Sequence, residues 1–161
     1  MKIIVISDTH DNFEAMERIV SDNRSADLFI HLGDGEREYE DVRALYPDRA
    51  FLMLRGNNDW GDYPITHVFS LGGYRFFLTH GSQYMRGYLY NSLAASATAN
   101  DCMLALFGHT HVPFNETVGG VRLFNPGSPT LPRGRSDPSY GVITIEKDGT
   151  IDLRHEKYTA D

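Results

Sequence analysis

The sequence predicts an α/β fold in which helices cover a sheet that is parallel at its centre and antiparallel toward its edges. Three observations point there. Short uninterrupted apolar runs alternate with helical periodicity over the first third of the chain, and later runs pair across Gly-rich turns. The length of 161 residues, with 41% hydrophobic and 23% charged, suits one globular domain spanning residues 1–161.

Lys2 to Ser7 is rich in β-branched residues with no polar alternation, which predicts a buried strand. Asp11 and Glu14 fit a capping box, and Phe13, Met16, Ile19 and Val20 recur behind it at helical spacing, giving a helix to about Asn23. The unit then repeats. Asp27 to Leu32 is apolar, Gly33-Asp34-Gly35 is a turn, and Glu36 to Tyr46 presents Tyr39, Val42 and Leu45 on one face before Pro47 stops it. Ala50 to Arg55, ended by Gly56, makes a third strand, so this βαβαβ order implies parallel pairing through right-handed crossovers. His67 to Ser70 and Tyr74 to Thr79 flank a Leu-Gly-Gly turn as a hairpin. Tyr88 to Asn100 reads as a helix of small residues, and Met103 to Phe107 as a short buried strand. Two further hairpins are expected, Phe114 to Phe124 about Gly119-Gly120 and Tyr140 to Tyr158 about Asp148-Gly149.

Composition excludes several classes of function. A net charge of −7, from 22 acidic and 15 basic residues, repels polyanions and argues against long nucleic acids as partners. No apolar run approaches the roughly 20 residues of a membrane helix, and the opening Met1-Lys2-Ile-Ile-Val-Ile6 is too short and too soon polar for a signal peptide, which makes the cytoplasm the expected compartment. Cys102 has no second cysteine to pair with and precedes an apolar stretch, so it reads as a packing residue.

The polar residues sort by position. Asp8 and His10, Asp34, Asn57 and Asn58, His80, and His109 with His111 each follow a predicted strand. In open α/β sheets the crevice beyond the carboxyl ends of the strands is where ligands bind, so residues far apart in sequence converge there. Taken singly, Asp8 and His10 would be an Asx turn with a cap, and His80 a satisfied buried histidine; together they read as ligands. His109 and His111 alternate on an extended segment, and both face the crevice only if the backbone bends. Carboxylates, imidazoles and an amide oxygen without thiolate suit Mn²⁺, Mg²⁺, Fe²⁺, Ni²⁺ or Zn²⁺. Seven donors exceed one tetrahedral site and fit two ions sharing a carboxylate, for which Asp34 in its Gly-Asp-Gly turn is the choice.

These residues make the sequence resemble the calcineurin-like metallophosphoesterases. The signature runs Asp8-Thr-His10, Gly33-Asp34, Gly56-Asn57-Asn58-Asp59, His80-Gly81 and Gly108-His109-Thr-His111, in the family's order, from residue 3 to about 128. Short length and Asn125-Pro-Gly-Ser128 are similar to the family's small bacterial and archaeal phosphodiesterases, which in turn resemble a retromer subunit. The resemblance implies a four-layer α/β/β/α sandwich of two mixed β-sheets flanked by helices. It also implies a first metal on Asp8, His10, Asp34 and His111, and a second on Asp34, Asn57, His80 and His109. A hydroxide shared by the ions would attack phosphorus in line. Manganese is the expected metal, a small phosphate ester the expected substrate, and a phosphodiesterase the expected activity. A phosphomonoesterase or a non-catalytic protein-binding scaffold is the alternative, and self-association is open.

The sequence departs from many relatives directly after Gly-Asn, where they carry a histidine placed to protonate the leaving oxygen. Asn58 has no proton to give, so esters with acidic leaving groups are expected to be preferred. Asp34, Asn58 and His80 are therefore the catalytic candidates, and Asn58 and Arg133 the substrate-binding ones. Arg55, Arg86 and Arg135 are the other basic residues near the expected rim. His31 reads as core or as support for a ligand, His67 and His155 as strand or surface histidines, and Asp59 as a loop-orienting residue. Asn125-Pro-Gly-Ser128 reads as a turn that positions a strand end, and Tyr84, Tyr88 and Tyr90 as packing residues.

Overall fold

A computed structural model describes residues 1–84 and 87–160. Arg86, named above as a rim residue, lies outside the described residues. The elements follow in the order β1 (Lys2–Ile6), α1 (Phe13–Asp22), β2 (Leu28–His31), α2 (Glu36–Leu45), β3 (Phe51–Met53), β4 (Thr66–Leu71) and β5 (Tyr74–Thr79). Then come α3 (Leu89–Ala99), β6 (Leu104–Leu106), β7 (Phe114–Val118), β8 (Val121–Asn125), β9 (Ser139–Ile145) and β10 (Ile151–Lys157).

The strands form two five-stranded mixed sheets, ordered β10-β9-β1-β2-β3 and β4-β5-β6-β8-β7. In the second sheet β5, β6 and β8 are parallel at the centre while β4 and β7 pair antiparallel at the edges, as expected. The first sheet differs. Its parallel trio β1-β2-β3 reaches one edge, and antiparallel β9 and β10 occupy only the other, because the closing hairpin adds beside β1 rather than beyond β3. Register sets Ile6 beside His31 and His31 beside Met53, so the carboxyl ends of these three strands finish level.

Strand alternation builds the layers, since successive side chains point to opposite faces. Ile3 and Val5 of β1 face Phe76, Leu78, Leu104, Leu106 and Phe124 of the second sheet, in a buried cluster between the sheets. Ile4 and Ile6 point the other way and pack with Met16, Ile19 and Val20 of α1 and Tyr39 and Val42 of α2. On the far side Phe77, Ala105 and Leu123 pack against Leu93, Ala94 and Ala97 of α3. Three apolar seams separate four layers, which is the sandwich the family resemblance implies.

Two local expectations are corrected. The cap of α1 is Asn12, whose side chain accepts from the Ala15 N–H at 2.9 Å, and not Asp11. Asp11 sits at φ 61°, outside cap geometry, and its own N–H goes to Glu38. On α2, Leu45 is 59% exposed at the last residue of the helix, while Glu38 is buried at 2%. Among the described residues no helix is long and apolar enough to cross a membrane.

Candidate metal centre

Every ligand predicted from the sequence lies just past the carboxyl end of a strand. Asp8, His10, Asp34 and Asn57 follow β1, β2 and β3 of one sheet, and His80, His109 and His111 follow β5 and β6 of the other. Five of the seven take left-handed backbone: Asp8 at φ 57°, His10 at 46°, Asp34 at 59°, His109 at 65° and His111 at 60°. That region costs an L-residue roughly 1–2 kcal/mol, and its use by non-glycine residues clusters at functional sites. Here it supplies the bend that turns both His109 and His111 toward one crevice. Backbone bonds hold the strained turns, with Asp8 N–H to Gly33 O at 3.0 Å and His10 N–H to Asp34 O at 3.1 Å.

The glycines of the Gly-Asn and Gly-His pairs are there for close approach. A Cβ on Gly56 would lie 2.1 Å from Asp34 Oδ1, and one on Gly108 would lie 1.9 Å from Ser7 Oγ and 2.9 Å from Asp8 Oδ2. Any larger residue would push a carboxylate out of the crevice.

The donor atoms converge. Asp34 Oδ2 stands between two imidazoles, 3.8 Å from His10 Nε2 and 3.5 Å from His80 Nε2. Asp8 Oδ1 lies 3.3 Å from His111 Nε2 and 4.0 Å from His80 Nε2. His10 and His111 bring their Nε2 atoms to 3.2 Å of each other, and His80 Nε2 is 3.1 Å from Asn57 Oδ1. Ligand atoms of Asp8, His10 and His111 lie within 4.8 Å of one another, and so do those of Asp8, Asp34 and His80. His109 enters through its ring, which meets that of His80 at a centroid distance of 5.2 Å. Asp8 Oδ2 accepts from the Ser7 hydroxyl and the His109 N–H, whereas the buried Oδ1 has no hydrogen-bond partner among the described residues. An unsatisfied buried carboxylate oxygen facing imidazole nitrogens fits a cation-binding position.

Electrostatics follow from this crowding. Burial alone would raise the pKa of Asp8 and Asp34, but the adjacent imidazoles outweigh it and hold both carboxyls below the ordinary range. Burial works against charge on His80 and His111 too, yet Asp34 beside the first and Asp8 beside the second raise both. His109 goes the other way, lowered by burial and then by His80. The Nδ1 atoms of His80 and His111 meet the carbonyls of Leu32 at 2.9 Å and Leu131 at 2.7 Å, an arrangement that turns each Nε2 inward.

A buried framework supports the ligands. The Gly33 N–H donates to His31 Nδ1 at 3.2 Å, His31 Nε2 meets Thr9 Oγ1 at 2.9 Å, and the Thr9 hydroxyl donates to Glu38 Oε1. His31 thus supports one ligand loop through the Gly33 backbone and the other through the Thr9 hydroxyl, and burial pushes its pKa down to about 4. Asp59 orders its surroundings as expected, and more widely: its carboxylate accepts from the N–H groups of Gly56, Asp34, Gly35 and Glu36 at 2.7–3.1 Å. In return Glu36 accepts from the Trp60 and Gly61 N–H groups. Asn125 donates to Gly108 O, and the Ser128 hydroxyl to Asp8 O, so Asn125-Pro-Gly-Ser128 positions two ligand-bearing strand ends. The roles of Thr9 and Glu38 escaped the sequence reading. A carboxylate inside an otherwise apolar helix face was the one signal available.

The remaining candidates separate by location. Asn58 donates from its backbone N and from Nδ2 to the two Asp34 oxygens, at 2.8 and 2.6 Å. Arg133 lines a cavity of about 650 Å³ that begins at His109; Arg55 and Arg135 line neither cavity bordering the centre. Tyr84 and Tyr90 line the same cavity as Arg133 and so form a wall, not only packing, while Tyr88 is 66% exposed. His155 is a strand histidine stacked on Phe124, His67 belongs to β4, and Cys102 is buried.

The chain is similar to known proteins in sequence and fold. Residues 1–148 match the model of the calcineurin-like phosphoesterase superfamily domain. A probable metallophosphoesterase of Mycoplasma genitalium is 32% identical, covering 99% of this chain and 97% of that protein. Phosphodiesterase YfcE of Escherichia coli K12 is 28% identical over 99% and 96% of the two chains. The crystal structure of a Streptococcus pneumoniae protein described as a predicted phosphoesterase superposes with a TM-score of 0.83 at 26% identity, covering 98% of this chain and 89% of the other.

Proposed function

Because the chain belongs to the calcineurin-like phosphoesterase superfamily, we propose that it is a dinuclear metal-dependent phosphodiesterase acting on small phosphate esters, with residues 1–161 as one catalytic unit. The observation that carries the reading is that carboxylates and imidazoles from separate strand ends form two donor groups sharing Asp8, whose buried Oδ1 faces His80 and His111. Asp8, His10, Asp34 and His111 would hold one ion, and Asp34, Asn57, His80 and His109 the other. The position of Asp34 Oδ2 between His10 and His80 supports Asp34 as the shared carboxylate, and Asp8 belongs to both geometric groups. Two such ions, Mn²⁺ by preference with Mg²⁺, Fe²⁺, Ni²⁺ or Zn²⁺ also suited to the donors, would supply charge neutralisation at phosphorus and an activated water.

The chain's own groups do the positioning. Left-handed turns at Asp8, Asp34 and His111 aim their side chains before any ligand arrives, so little reorganisation accompanies binding. His80 and His111 are oriented through Nδ1, which keeps Nε2 toward the reacting region. Asn58 holds both oxygens of Asp34 and offers no acidic proton to a departing alkoxide. Leaving groups that are stable as anions therefore suit the site, and the E. coli relative named as a phosphodiesterase supports the diester over the monoester.

Hydrolysis of bis(4-nitrophenyl) phosphate with added Mn²⁺ tests the proposal. Turnover abolished by chelator and restored by metal is expected. Faster turnover of 4-nitrophenyl phosphate would replace the diester by the monoester, and activity indifferent to chelator would overturn the metal mechanism.

A further inference from the structure

Two cavities border the centre, and they differ in chemistry. One, of about 540 Å³, lies toward α2 and is rimmed by the carboxylates of Asp11, Glu36, Glu40 and Asp41, which outnumber the one arginine there, Arg37. The other, of about 650 Å³, opens at His109 and runs between the start of α3 and the end of β7. Its walls include Tyr84, Leu89, Tyr90, Val112 and Val118, and Arg133 is the arginine that lines it among the described residues. A volume in the range of roughly 300–1,000 Å³, apolar walls and a few placed polar groups are what small-molecule sites share.

Packing holds several of the wall residues in place. The Tyr90 ring lies flat on Phe114 at a centroid distance of 4.2 Å and an interplanar angle of 9°. Tyr84, Leu89 and Val118 pack against the apolar seam under α3. The Arg133 N–H is bonded to His111 O at 3.1 Å, which ties the arginine to the ligand loop. Arg133 lines the cavity beside His109, where a guanidinium can meet two phosphoryl oxygens with two parallel bonds. Rigid aromatic walls bind flat groups at little entropic cost, while the acidic cavity repels an anionic ester.

We propose that the cavity between α3 and β7 takes one organic group of the ester, a flat uncharged aromatic ring of aryl size, with Arg133 on a phosphoryl oxygen. The substrate class is then an aryl-type phosphodiester, an assignment that rests on phosphoester hydrolysis at the adjoining carboxylate–imidazole centre. Asn91, exposed on α3 and lining the cavity, offers a place to block it from outside the core.

The test is binding of phenylphosphonate, which cannot be hydrolysed, to the full chain with Mg²⁺, followed by NMR. Expected are chemical-shift changes at Leu89, Tyr90, Val112 and Val118, and a dissociation constant roughly tenfold weaker in Asn91→Trp, since an apolar contact discriminates by about 10–200-fold. Inorganic phosphate, which has no organic group, should bind that variant within about twofold of the parent protein, because one exposed helix residue is changed. Val118→Trp blocks the cavity from its opposite wall and should repeat the result. Shifts centred on Trp60 beside the acidic cavity, or equal weakening of phosphate and phenylphosphonate, would overturn the assignment. Failure of the parent protein to hydrolyse any ester would instead count against the phosphodiesterase reading, and the binding result would be read separately.

Discussion

The carboxylate of Asp59 accepts the backbone N–H of Asp34 at 2.8 Å, linking the loop after β3 to the loop after β2. The same carboxylate takes the N–H groups of Gly35 and Glu36, so it does for the start of α2 what a capping side chain would, where Gly35 has none to give. One residue outside the proposed ligand set therefore fixes the conformation of the proposed bridge.

Asp59→Asn should expose that dependence. Its amide would turn an NH₂ toward backbone donors and leave at least one of them unsatisfied. A loss of about 2–3 kcal/mol in urea unfolding with EDTA present is expected, together with metal binding weakened roughly 10–100-fold by calorimetry. Unchanged metal affinity would mean that Asp34 does not rely on Asp59.

Asp34→Asn removes charge at the proposed bridge while keeping size. Turnover of an aryl diester should fall by at least roughly 10²–10³-fold, and titration should show fewer than two ions bound per chain. Two ions retained at parental affinity would reassign the bridge, with Asp8 next in line because it belongs to both donor groups.

Asn58→His restores a proton donor beside Asp34 while the backbone N–H bond of residue 58 to Asp34 can persist. The ratio of alkyl-ester to aryl-ester turnover should rise, by up to roughly 10²–10⁴-fold if the imidazole acts as a full general acid. A constant ratio would remove the role assigned to this position.

His31 makes a prediction about acid. Burial pushes its pKa down to about 4, against about 6.5 in an unfolded chain. The unfolded state takes up the proton first, so this contribution is complete above about pH 6.5 and is lost as pH falls toward 4, by about 3 kcal/mol. Unfolding in EDTA at pH 7 and pH 4.5 should show the parent losing more stability than His31→Gln. Parallel losses would mean that another group governs acid stability.

Much of this was legible in the chain. Ile3 to Ile6 and Leu104 to Leu106 announce themselves because strand segments buried on both faces tolerate no polar residue. The ligands were legible for a topological reason: level strand ends place residues 8, 34, 57, 80 and 109 at one edge whatever happens between them. Periodicity alone could not divide ten strands into two sheets, because a buried apolar run looks the same in either; the family resemblance supplied that division. Asn12 in place of Asp11 as the cap was hidden because the choice turns on the left-handed backbone of Asp11, dictated by contacts with Glu38 from another helix. The aromatic cavity was hidden too, since Tyr84 and Tyr90 meet only when the chain after β5, α3 and β7 come together.

Asp8 and Asp34 hang from one sheet, His80 and His111 from its neighbour, and beneath them the two sheets meet across an apolar seam with a few side-chain hydrogen bonds, such as Asn115 Nδ2 to Leu153 O. A cation gripped from both sides is a rivet through the sandwich. At a hundred times its dissociation constant it would add about 2.7 kcal/mol to the folded state, so cells starved of the metal would lose the protein's durability along with its chemistry.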